Sequence, residues 1–177
     1  MKISPNQITI ARIVALPIGV WTLFQPGVIW QLISYAIFFT LAMSDVIDGN
    51  LARSRGQITP LGTFLDPIAD KLMIAAAMIP LSIQDRFPWW ATFALLFREI
   101  GITLFRGAVI RSGVIPANRG GKLKTLLQNL GIGWFVLPLP IWLDWFKYGW
   151  LYVAIFVTYL TGYWYLHSWI KGRSAKP

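Results

Sequence analysis

Long apolar stretches follow one another along almost the whole chain, separated by short polar breaks. A helix needs about 20 mostly apolar residues to cross a bilayer. Six stretches fit, at residues 8–24, 28–51, 61–81, 89–110, 122–143 and 150–169. The breaks carry turn and interface residues: Gln25-Pro26-Gly27, Arg55-Gly56-Gln57, Asp85-Arg86-Phe87-Pro88, Asn118-Arg119-Gly120-Gly121 and Lys147-Tyr148-Gly149. Trp89, Trp90, Trp145, Trp150 and Trp169 fall at the ends of the stretches, where an aromatic belt would sit. The first stretch carries Arg12 and Pro17, no small-residue cleavage site follows Phe24, and apolar sequence resumes at once. It therefore reads as a span and not as a leader. The pattern predicts an all-α integral membrane protein of six transmembrane helices.

Composition agrees. The chain is 56% hydrophobic and 13% charged, against about 25% charged in a soluble domain. Its length predicts one domain, covering 1–177. There is no cysteine, so disulfides and thiolate metal sites are excluded. The net charge of +9 fits cytoplasmic loops facing anionic lipid and not a nucleic-acid partner. One side of the predicted topology gathers ten basic residues: Lys2, Arg53, Arg55, Arg111, Arg119, Lys122, Lys124, Lys171, Arg173 and Lys176. The other side holds Arg86 and Lys147. This asymmetry predicts that both termini are cytoplasmic.

Four of the seven acidic residues lie between Asp45 and Asp70. Asp45 and Asp48 are spaced i, i+3 near the cytoplasmic end of the second stretch. Asp66 and Asp70 are spaced i, i+4 near the start of the third, so each pair shares a helical face. Carboxylates at membrane depth cost several kcal/mol unless paired or solvated, and Arg53 and Lys71 are too few to neutralise four. Small Gly49, Ala52, Gly62 and Ala69 let two such helices approach. An all-carboxylate donor set favours Mg²⁺ or Mn²⁺. Four charges suit two ions, and two ions about 3.5–4 Å apart serve phosphoryl transfer. A cation transporter also carries intramembrane acids, but usually near the midplane.

The run Asp45-Val46-Ile47-Asp48-Gly49-Asn50-Leu51-Ala52-Arg53, eight residues, Gly62-Thr63-Phe64-Leu65-Asp66-Pro67-Ile68-Ala69-Asp70 resembles the signature of the CDP-alcohol phosphatidyltransferase family at every fixed position. The resemblance implies a six-helical, commonly dimeric, Mg²⁺- or Mn²⁺-dependent enzyme. Such enzymes move a phosphatidyl group from CDP-diacylglycerol to an alcohol and release CMP. By the same resemblance Asp45, Asp48, Asp66 and Asp70 hold two metal ions, and Asp70 is the general base. Gly49, Arg53 and Thr59 would contact the CDP moiety. Asn6, Gln7, Ile8 and Thr9, after Pro5, would meet the nucleotide at the start of the first helix, where anions are favoured.

The acceptor is read from cations. Arg98, Glu99, Ile102 and Arg106 fall near one face of the fourth stretch, and Gly121-Lys122-Leu123-Lys124-Thr125 with Gln128 opens the fifth. Arg106, Arg111, Lys122 and Lys124 suit an acceptor that carries phosphate. These stretches resemble the bacterial branch of the family that uses glycerol 3-phosphate. That implies a homodimer in a bacterial plasma (inner) membrane with its site facing the cytoplasm. Inositol phosphate or serine as acceptor, and a divalent-cation transporter, are the alternatives. Arg98 with Glu99 also reads as an intramembrane ion pair, and lone His167 as interfacial.

Overall fold

The structure, a computed structural model, describes the backbone of residues 5–54, 60–109 and 120–174, and the side chains of 9–44, 67–105, 107–108 and 123–171. Among these residues the chain is helical, with no strand: α1 (Pro5–Leu23), α2 (Val28–Ser54), α3 (Pro60–Ile83), α4 (Trp89–Val109), α5 (Gly120–Val136) and α6 (Asp144–Ser174). A short 3₁₀ turn, Ile141–Leu143, precedes α6. The helices coincide with the six apolar stretches.

The largest boundary differences from the sequence expectation lie at the end of α5 and the start of α6. The fifth helix ends at Val136 and not at 143. Pro138 and Pro140 supply no N–H and push the residues before them out of the helical region. The sixth helix begins at Asp144, six residues before the expected start at 150. An acid in the first turn suits the helix dipole. The expected break Lys147-Tyr148-Gly149 lies inside α6. Among the described residues, no helix is long and apolar enough to cross a membrane.

The chain divides into two compact units. The first comprises residues 1–88 with 132–139. In it α1 packs on both α2 and α3, around Leu16, Leu23, Met73, Ile74, Met78, Leu81, Phe87 and Phe135. α1 and α2 run antiparallel. Thr22 donates to Gly19 O at 2.8 Å, Ser34 Oγ lies 2.9 Å from Thr22 Oγ1, and Trp21 meets Trp30 edge-on. The turn after α3 is closed by the N–H groups of Arg86 and Phe87, which both donate to Leu81 O. Asp85 there has φ 55°, a left-handed conformation that Asp tolerates. Arg86 Nη2 then donates to Phe135 O (3.0 Å) and Val136 O (2.9 Å), the last carbonyls of α5. Burial lowers the pKa of this guanidinium from its ordinary value, although arginine remains charged.

The second unit comprises residues 89–131 with 140–177. Here α4 and α6 lie side by side in the same direction. Trp90 stacks on Tyr152, Tyr159 Oη donates to Ala94 O at 3.0 Å, and Phe105 meets Tyr165 and Trp169 edge-on. Trp150 Nε1 donates to Leu127 O at 2.9 Å, which ties α6 to α5.

Candidate functional site

The two halves of the acidic signature lie on consecutive helices of the first unit. Asp45, Asp48, Gly49 and Arg53 are on the C-terminal part of α2; Gly62, Asp66 and Asp70 are on α3. Helical backbone at both places keeps the i, i+3 and i, i+4 pairs each on one face. Of the four carboxylates, Asp70 is the one whose side chain is described. Its carboxylate is half-exposed, with Oδ1 3.5 Å from Nη1 of buried Arg12 on α1. Ala69 beside it is buried, and Lys71 donates to Pro67 O at 3.1 Å, one turn back on α3. Among the described residues no three acidic or imidazole side chains gather as a metal group; the Asp45, Asp48 and Asp66 side chains lie outside that set.

Helix α1 begins at Pro5, earlier than the expected 8. Proline suits a first helical turn because its missing N–H would have no intrahelical partner there. Asn6, Gln7, Ile8 and Thr9 therefore occupy the first turns of α1. Thr9 is buried, as is Arg12 one turn further on. Thr59 lies outside the described residues.

In the second unit, Glu99 on α4 is buried between two cations. Its Oε1 takes a hydrogen bond from Arg98 Nη1 at 3.2 Å and another from Lys124 Nζ on α5. Arg98 Nη2 also donates to Thr161 Oγ1 on α6 at 2.9 Å. Lys124 is thus buried and ion-paired rather than displayed at a surface. Gln128, one turn beyond it on α5, is fully buried. Arg106 is on α4 and Lys122 on α5, with side chains outside the described set, and Arg111 lies outside the described residues.

Two residues escaped the sequence reading. Arg12 was visible as a lone cation in an apolar helix, but no local spacing linked it to Asp70. Arg86 looked like a loop charge, and nothing near it in sequence marked it as the cap of α5.

The family model for CDP-alcohol phosphatidyltransferases matches residues 2–164. The chain is 48% identical over 137 residues to a probable phosphatidylglycerophosphate synthase of Mycobacterium tuberculosis, covering 76% of this chain and 66% of that protein. It is 34% identical over 177 residues to the CDP-diacylglycerol–glycerol-3-phosphate 3-phosphatidyltransferase of Bacillus subtilis, covering 91% and 92%. A protein of that name in Salmonella typhimurium is 31% identical over 160 residues, covering 87% of each chain. With the acidic signature on α2 and α3 and a match over most of its length, the chain belongs to the CDP-alcohol phosphatidyltransferase family.

Proposed function

We propose that this protein transfers the phosphatidyl group of CDP-diacylglycerol to glycerol 3-phosphate, giving phosphatidylglycerophosphate and CMP. The observation that carries the reading is the complete signature on α2 and α3. Its relatives named for this activity support the choice of acceptor.

The family generally uses divalent metal ions, and the four carboxylates fit hard divalent cations. Asp45, Asp48, Asp66 and Asp70 would hold two, Mg²⁺ or Mn²⁺. When bound, such ions neutralise the pyrophosphate oxygens of the donor. Gly49, Arg53, Thr59 and the Asn6–Thr9 turn receive the cytidine diphosphate. Arg106, Arg111, Lys122 and Lys124 receive the acceptor's phosphate. Asp70 takes the proton from the C1 hydroxyl of glycerol 3-phosphate. That oxygen bonds to the phosphorus bearing diacylglycerol, the bond from this phosphorus to the bridging oxygen breaks, and CMP leaves with the electron pair.

The family is membrane-associated. In this reading all six helices cross a bacterial plasma membrane, both termini are cytoplasmic, and two copies form a homodimer. Within the units, α1 runs against α2 and α4 runs with α6, which supports alternating crossings. Large apolar side chains such as Ile29, Phe93, Phe97, Leu104 and Phe156 stand exposed along the helices, which supports contact with lipid.

Purified protein given CDP-diacylglycerol and Mg²⁺ should release CMP with glycerol 3-phosphate and far less with serine or inositol phosphate. Chelation should stop turnover, and Mg²⁺ or Mn²⁺ should restore it. Asp70→Asn should lower kcat by about 10²- to 10⁴-fold; full turnover in that variant removes Asp70 as the base. A preference for serine overturns the acceptor. Cation uptake into proteoliposomes without CMP release overturns the enzyme.

A further inference from the structure

One run of polar contacts joins three helices of the second unit. It passes from Thr161 on α6 to Arg98 and Glu99 on α4, and from Glu99 to Lys124 on α5. The Arg98, Glu99 and Lys124 side chains are 10%, 9% and 10% exposed. Gly162 on α6 leaves the space that Arg98 fills, since a Cβ there would lie 3.3 Å from Arg98 Nε. Buried ion pairs rarely improve on well-packed apolar residues for stability, because desolvation offsets the attraction. What the pair does supply is a fixed geometry of the Arg98, Glu99 and Lys124 side chains across α4 and α5. A lysine stem that is free to sample its rotamers loses that freedom when it grips an anion. Glu99 has already fixed the Lys124 stem, so that cost does not fall on substrate binding.

We infer that Glu99 is a positioning residue, which holds the Lys124 ammonium, with Arg98 braced on Thr161, in the orientation that receives the acceptor's phosphate. The inference rests on the proposed role of Lys124 toward glycerol 3-phosphate and extends it to a residue that touches no substrate.

The test is steady-state kinetics with both substrates varied. Glu99→Gln should raise KM for glycerol 3-phosphate about tenfold, the scale of a lost charge-assisted hydrogen bond. KM for CDP-diacylglycerol should stay unchanged, and kcat at saturating acceptor should stay within about twofold. Lys124→Met should raise the same KM at least as much. The double variant Glu99→Gln/Lys124→Met should be no worse than Lys124→Met alone, because Glu99 acts through Lys124. Glu99→Asp, which keeps the charge at shorter reach, should recover part of the loss; it also serves where Glu99→Gln does not fold. An unchanged KM for glycerol 3-phosphate in Glu99→Gln, or losses that multiply in the double variant, overturns the positioning role alone. A wild-type protein inactive with glycerol 3-phosphate overturns the acceptor reading and this inference with it.

Discussion

Asp70 and Gln128 show how differently residues announce themselves. Asp70 was legible because it closes a fixed-spacing signature in a chain with few acids. Its contact with Arg12 was not, because the partners come from α1 and α3 and meet only through tertiary packing. Glu99 was half legible: its neighbour Arg98 suggested a pair, while the bond to Lys124 depends on how α4 meets α5. Gln128 gave no signal beyond sitting near basic residues. It is 1% exposed, and among the described residues neither its Nε2 nor its Oε1 finds a hydrogen-bond partner. A buried amide without partners costs about 1–3 kcal/mol. Gln128→Leu, similar in size and without polar atoms, should therefore raise the apparent thermal midpoint in detergent. A lower midpoint would mean that the amide is satisfied in the working protein and that its burial is not a net cost.

At the scale of elements, helix existence was legible from apolar runs, and helix ends were legible only where breaking residues were weighed against apolarity. The stretch to Leu143 is apolar throughout, yet Pro138 and Pro140 end α5 at Val136. Gly149 suggests a break because glycine often marks one, but its backbone does not take a positive φ and α6 runs through it. The end of α5 is secured from elsewhere in its unit. Arg86, in the turn after α3, donates to the Phe135 and Val136 carbonyls, which helix geometry leaves without intrahelical donors. Phe87 packs edge-on against Phe135 with ring centroids 4.9 Å apart. Arg86→Ala should therefore destabilise the first unit by about 1–3 kcal/mol, the range for leaving buried acceptors unpaired. Arg86→Lys should lose less. Thermal unfolding followed by tryptophan fluorescence reads both; an unchanged Arg86→Ala midpoint would remove the cap from the account of this turn.

For the whole molecule, helix composition and side-chain exposure pull in opposite directions on membrane insertion. Among the described residues no helix is long and apolar enough to cross a bilayer, and α6 is rich in Tyr and Trp. Yet Trp142, Trp145, Phe156 and Tyr163 stand exposed, a surface that water disfavours and that lipid with its headgroup region accommodates. Length favours crossing: from position 149 to 171, α6 rises about 33 Å at ~1.5 Å per residue, close to a hydrocarbon core of about 30 Å. Basic residues cluster at its C-terminal end, Lys171, Arg173 and Lys176, which would hold that end in the cytoplasm. The native chain has no cysteine, so single-cysteine variants report cleanly. Position 149 has open space around a new Cβ, and Lys171 is exposed. On intact cells, a membrane-impermeant maleimide should label Gly149→Cys, and Lys171→Cys should react only after permeabilisation. Labelling of both without permeabilisation, or of neither, means that α6 does not cross. Labelling of Lys171→Cys alone means that α6 crosses in the orientation opposite to the one proposed.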